Sequence, residues 1–171
     1  MDITNFRNKL GAGGARPNQF RVTLTWPAAV GATASDESVL VSAASIPPSN
    51  VAGTIVQYRG REVKLAGERT FDPWTVTILN ASDMGLRTKF ERWSDLMNNR
   101  EQNTGIIQPS LYFTDLTCEQ LSRNDDVIRT YIIRDAFPTN IGEIALRYDQ
   151  DNVISEFTVT FLYQRFDVAP V

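Results

Sequence analysis

Along most of the chain, apolar and polar side chains alternate with a period of two, the pattern of strands with one wet and one buried face. Phe20, Val22, Leu24 and Trp26 share one face, with Arg21, Thr23 and Thr25 on the other, until Pro27 ends the run. Residues 39–46 predict a second strand, stopped by Pro47 and Pro48. Residues 54–66 predict a hairpin with Gly60 near its tip, where a permissive backbone is needed. Trp74, Val76 and Ile78 then alternate with Thr75, Thr77 and Leu79. Further strands are predicted at 127–134, 143–148 and 153–163, the last two flanking the polar turn Asp149-Gln150-Asp151-Asn152.

One segment changes period. Leu86, Phe90, Trp93 and Met97 recur at helical spacing, behind the candidate N-caps Asn80, Ser82 and Asp83, and predict a helix over 83–98. An aromatic stripe of this kind is ordinarily core that packs on a sheet. Residues 11–17, 28–36 and 99–108 read as connections, as does 114–126, where a short helix at 119–122 is an alternative. The expected fold is mainly β, a β-sandwich or barrel of about seven or eight strands with one flanking α-helix. It forms one domain over 1–171, with a flexible N-terminal arm at 1–17 and a C-terminal tail at 166–171.

Composition mainly removes options. The 171 residues hold no histidine, so the commonest general base and transition-metal ligand is missing and no Ser-His-Asp triad exists. Cys118 is the only cysteine, which excludes an internal disulfide and a cysteine-based zinc site. Net charge is −3, with no general attraction for nucleic acid. No apolar run approaches a membrane span, and the first ten residues do not read as a secretory signal. The run Gly11-Ala12-Gly13-Gly14-Ala15 lacks the GK[ST] ending and the strand-to-helix setting of a phosphate loop. Asp125, Asp126, Asp149 and Asp151 read as solvated turns, with a carboxylate pair or cation site as the alternative. No catalytic, metal or cofactor residue is therefore assigned.

The hairpin carries the strongest surface signal. Arg59, Arg61, Lys64 and Arg69 are interleaved with Glu62 and Glu68, a mixed pattern that suits pairing with another subunit as well as simple solvation. With Phe71 and Trp74 these form the candidate subunit interface. Threonines recur on the polar strand faces at Thr23, Thr25, Thr75, Thr77, Thr158 and Thr160. Ordinary strand propensity accounts for them. The alternative is the lining of a conduit that must not grip its cargo, where hydroxyls are suitable and Lys or Arg are not.

The segment from Arg59-Gly60-Arg61-Glu62 through Phe71-Asp72-Pro73-Trp74 to Thr77 closely resembles the central segment of tail tube proteins of T-even-type contractile phages. Ala15-Arg16-Pro17-Asn18-Gln19-Phe20, Phe90-Glu91-Arg92-Trp93 and Phe137-Pro138-Thr139-Asn140-Ile141-Gly142-Glu143 extend the match in order from 15 to 163. Departures fall mainly at 28–36 and 106–123. The resemblance implies a non-catalytic virion protein made in the host cytoplasm. Its homohexameric rings would stack into a tube inside the sheath and conduct DNA at infection. It also implies contacts with tail sheath, baseplate and tail terminator proteins, and transiently with tape-measure protein and genomic DNA in the lumen. The same fold serves type VI secretion and bacteriocin tubes, which stand as the alternative machine. From other classes, a small β-barrel binding module or a carboxylate-based hydrolase remains open.

Overall fold

The computed structural model describes residues 2–11, 14–31, 37–149 and 151–169. Among these residues, nine strands and two α-helices run in the order α1 (Ile3–Leu10), β1 (Phe20–Thr23), β2 (Val41–Ala44), β3 (Asn50–Tyr58), β4 (Arg61–Thr70) and β5 (Trp74–Leu79). They continue with α2 (Gly85–Met97), β6 (Thr114–Leu121), β7 (Val127–Ile141), β8 (Glu156–Leu162) and β9 (Arg165–Ala169). The main sheet has the order β1-β6-β7-β8-β5-β2, with β9 added to β7, and its pairings are antiparallel. Its ends, β1 and β2, approach each other. The expected mainly β fold with a flanking helix is what the chain forms.

The long strand β7 joins the two halves. It pairs with β9 up to Arg134 and with β6 up to Ala136, and from Phe137 it pairs with β8. Asp135 sits between them with φ 54°, the left-handed backbone that a partner switch of this kind uses. The junction is pinned by Arg134, which donates to Asp115 at 2.6 Å and Asp167 at 2.9 Å, while Asp115 also accepts from the Asp135 N–H.

Alternation produces the core. Trp74, Val76 and Ile78 on β5 face inward with Phe157, Val159 and Phe161 on β8, all six nearly without solvent contact. On the other half, Val22, Leu116, Cys118 and Ile133 do the same. Helix α2 closes over this core with Leu86, Phe90 and Trp93 buried. The Phe90 ring lies 4.8 Å from Trp26 and 5.9 Å from Phe161, and the Trp93 indole donates to the Tyr112 carbonyl at 2.9 Å. Each such buried ring contributes about 1.5–3 kcal/mol. Asp83 supplies the turn before α2 by accepting from the Gly85 N–H, and Arg87 with Glu91 forms an i,i+4 pair on its flank.

Several sequence expectations are corrected here. Thr114–Leu121 is strand rather than connection or short helix, because Leu116 and Cys118 alternate into the core. The strand expected at 39–46 is only Val41–Ala44, following a 3-10 turn over Glu37–Leu40. The strand expected at 143–148 does not form. That segment, with 151–155, is irregular and exposes Leu146, Tyr148, Val153 and Ile154, which have no layer to pack against. Where a tail was expected, Arg165–Ala169 forms β9 and half-buries Phe166. Within the expected arm, Ile3–Leu10 forms α1, capped by the Asp2 side chain and burying no residue.

Candidate functional site

Strands β3 and β4 leave the main sheet and form a two-stranded sheet of their own. The turn at Arg59-Gly60 has φ 48° and 81°, the two positive angles a tight hairpin turn requires, with glycine taking the second without strain. The register pairs Val56 with Val63, Thr54 with Leu65 and Tyr58 with Arg61, so these six share one face. Ile55, Gln57, Glu62, Lys64 and Ala66 lie on the other, where Gln57 donates to Glu62 at 3.1 Å. Near the base, Gly67 and Glu68 oppose Ala52 in a bulge. A Cβ on Gly67 would lie 2.9 Å from Thr54 Oγ1, so glycine is what lets the strands approach there.

Every side chain from Val51 to Ala66 is exposed, including Ile55 (56%), Tyr58 (62%) and Leu65 (53%). A lone two-stranded hairpin is marginal in water. Its base is held firmly. Asn50 donates to Asp72 at 2.6 Å, Arg69 donates to Ser49, and the Trp74 indole donates to the Ser45 carbonyl at 2.6 Å.

The candidate interface residues therefore divide. Arg59, Arg61, Glu62, Lys64, Glu68 and Arg69 are all exposed on the hairpin. Among the described residues no ion pair involves Arg59, Arg61, Lys64 or Glu68. Phe71 is half-buried against Tyr163 and Phe166. Trp74, at 1% exposure, belongs to the protomer core and offers no surface to a partner. Sequence reasoning chose the charges and missed the apolar face of Val56, Val63 and Leu65. Its alternation was visible, but every alternating strand in the chain looks inward until its surroundings are known.

The candidate threonines divide as well. Thr75 pairs with Thr160 and Thr77 with Thr158, on the face of β5–β8 opposite the core, and the Thr75 and Thr160 hydroxyls lie 3.1 Å apart. With Leu79, Glu156 and Leu162 completing it, that two-stranded face carries no Lys or Arg. Thr23 lies at the far end of the sheet beside Thr117, next to the Arg21–Glu119 ion pair at 2.6 Å. Thr25 is exposed but beyond the end of β1.

The other chemical candidates hold no organised site. Asp125, Asp126, Asp149 and Asp151 are all exposed, and Ser122 with Asp126 closes a turn through its own hydrogen bonds. Among the described residues no three His, Cys, Asp or Glu side chains gather as metal ligands. No helix among them is long and apolar enough to cross a membrane. The glycine run, of which Ala12 and Gly13 lie outside the described residues, follows a helix rather than opening one. Burial, with Glu119 adding to it, pushes the Cys118 thiol up to about 11, so it is a packing residue at neutral pH.

The structure is an antiparallel β body with one flanking helix and an exposed two-stranded hairpin, and comparison with known proteins gives the family. The phage tail tube protein family model matches residues 15–169, and the chain belongs to that family. It is 28% identical over 165 residues to the tail tube protein of Serratia phage KSP90, covering 94% of this chain and 93% of the relative. It is 30% identical over 147 residues to the tail tube protein gp19 of Enterobacteria phage T4, covering 85% and 86%. Among solved structures, a chain of the anti-feeding prophage tube-terminating cap superposes with a TM-score of 0.69 at 17% identity, covering 92% and 91%. A chain of the extracellular contractile injection system PVC sheath-tube complex superposes with a TM-score of 0.62 at 14% identity, covering 100% and 99%. The last two share the fold. The protein is a tail tube protein of a contractile phage and a structural component of the virion.

Proposed function

We propose that this chain acts without catalysis, as the repeating subunit of a hexameric ring whose stacks form the inner conduit of the tail. The observation that carries this reading is the hairpin, a sheet of its own with an exposed apolar face. Placed against a neighbouring subunit, Val56, Val63 and Leu65 lose their contact with water, and Arg59, Arg61, Glu62, Lys64, Glu68 and Arg69 set register and partner choice at the rim. Phe71 supports the base of that contact. A ring of subunits also satisfies free strand edges that would otherwise pair without control.

The hydroxyl face of Thr75, Thr77, Thr158 and Thr160 suits the lumen, because the absence of Lys and Arg denies passing DNA any phosphate contact. Thr23 and Thr25 belong to the same reading, with the Arg21–Glu119 ion pair standing beside Thr23. The tube is assembled in the host cytoplasm and ends inside the sheath. It meets sheath, baseplate and terminator proteins on its outside and ends, and tape-measure protein and genomic DNA inside. Relatives at the sequence level are phage proteins, which favours a phage tail over a secretion apparatus.

Electron microscopy of the purified wild type and of Val56→Asp/Val63→Asp tests the proposal. The wild type is expected to give rings or tubes with a central hole, and the variant to stay monomeric with an unchanged melting temperature. A wild type that remains monomeric at high concentration overturns the reading. Normal tubes from the variant overturn the role of the hairpin.

A further inference from the structure

A second surface lies at the foot of the hairpin. A groove of about 550 Å³ opens there beside β9. Its floor is apolar, with Phe166 lying 5.9 Å from Phe71 and 6.3 Å from Tyr131. Its rim carries Arg69, Arg129 and Arg165, all exposed, and no carboxylate lines it. Arg129 leans over the Tyr131 ring at 5.7 Å, and Arg165 reaches Asp167 at 3.4 Å. Among the described residues β9 pairs with β7 alone, so its outer edge borders the groove unpaired.

The complementary surface is the irregular segment between β7 and β8. It is acidic, with Glu143, Asp149 and Asp151 against the single cation Arg147. It is also apolar, with Leu146 at 84% and Tyr148 at 109% exposure. Its feet are fixed. Gly142 donates to the Thr158 carbonyl at 2.7 Å, Arg87 donates to the Gly142 carbonyl at 2.6 Å, and Asn80 donates to Ser155 at 2.9 Å. Only the tip lacks a place to pack.

The two surfaces sit at opposite ends of the β5–β8 pair. The groove residue Phe71 precedes the start of β5, and Phe166 follows the end of β8. The loop is tied to Asn80, which follows the end of β5. A six-residue strand separates them by roughly 20 Å, and no loop residue lines the groove of its own chain. Complementary patches at opposite ends of one protomer make a heterologous contact, which closes into a ring or propagates along a filament.

We infer that the acidic, apolar loop of residues 143–154 of one copy docks head to tail in the arginine-rimmed groove of a second copy. This rests on the tube-subunit reading and adds to it a second contact distinct from the hairpin. Leu146 and Tyr148 cover the aromatic floor, while Asp149 and Asp151 meet Arg129 and Arg165 at the rim. Like charges brought together there oppose docking, and exchanged charges restore it.

The test is charge exchange on the whole chain. Arg129→Glu/Arg165→Glu and Asp149→Lys/Asp151→Lys are each expected to raise the critical concentration for tube formation at least about tenfold. The chain carrying all four changes is expected to return to within about threefold of wild type. Thermal unfolding of each variant reports folding, and Arg129→Glu alone, at a residue outside every ion pair described, guards against fraying of β9. Leu146→Ser/Tyr148→Ser removes the apolar part at positions too exposed to disturb the protomer. Wild-type tubes with unaltered assembly of the variants, or with no recovery in the fourfold exchange, overturn this inference alone. A wild type that never self-associates overturns it together with the tube reading.

Discussion

Replacing Phe90 with alanine tests whether α2 is a structural lid rather than a ligand-binding stripe. Phe90 has no solvent exposure, and its ring lies 4.8 Å from Trp26, 5.9 Å from Phe161, 6.2 Å from Phe157 and 6.4 Å from Trp93. Truncating a buried phenylalanine costs about 3–5 kcal/mol. Aromatic pairs add about 0.5–1.5 kcal/mol beyond the area they bury, which places this site at the upper end, about 4–5 kcal/mol. A domain of this size has about 5–15 kcal/mol in total, so the variant loses a large fraction of its stability. Its melting temperature is expected to fall by about 8–20 °C.

The assay is urea denaturation below the assembly concentration, since self-association would add apparent stability by mass action. Phe90→Leu, which keeps much of the volume, is expected to lose about 1–1.5 kcal/mol. Arg92→Ala, on the exposed side of the same helix, is expected to stay within about 0.5 kcal/mol of wild type. A loss below about 2 kcal/mol for Phe90→Ala, or an equal loss for Arg92→Ala, would refute the packing assigned to α2.

Gly105→Ala places a Cβ 1.9 Å from the Met97 carbonyl oxygen, a backbone atom that cannot swing away. Calorimetry is expected to show a loss of at least about 1–3 kcal/mol, and an unchanged melting temperature would count against the loop geometry. Cys118 should react slowly with a disulfide reagent at pH 8 in the native protein and rapidly in urea. Because its folded-state pKa is raised to about 11, its contribution to stability is whole below about pH 8.5 and is lost as pH rises toward 11. Cys118→Ala should flatten that part of the pH–stability curve, measured as urea midpoints. Thr75→Lys/Thr158→Lys, at two exposed positions of the hydroxyl face, is expected to leave tube assembly intact and to make tubes retain DNA. The salt dependence of that retention should steepen by about 0.9 in log–log slope for each added phosphate contact. Equal DNA retention by wild-type and variant tubes would remove this face from the lumen.

Local pattern was enough to determine most strands, the α2 stripe and the β3–β4 hairpin, because each depends on periodicity and turn chemistry within a few residues. The ordered resemblance in residues 15–163 likewise revealed the family before any coordinates. Thr114–Leu121 was harder to read because cysteine, glutamine and glutamate dilute its alternation, and only its neighbours β1 and β7 make it a central strand. Residues 143–148 show the reverse case. They alternate like a strand, yet only Ile144 packs against the core while Leu146 and Tyr148 stay exposed, so the segment stays irregular.

Burial is a property of what surrounds a residue, and that is what separates Trp74 from its neighbours on the hairpin. The sequence puts Trp74 and Val63 in similar alternating runs, but Trp74 is buried in the protomer core beside Phe161 of β8 while Val63 stays exposed on a separate two-stranded sheet. Tertiary structure alone also placed the arginine rim and the acidic loop at opposite ends of β5 and β8, because their residues come from segments far apart in the chain. What the sequence by itself determined was the identity of a tube subunit and the position of its hairpin. Which faces remain open was decided by how the strands closed on one another.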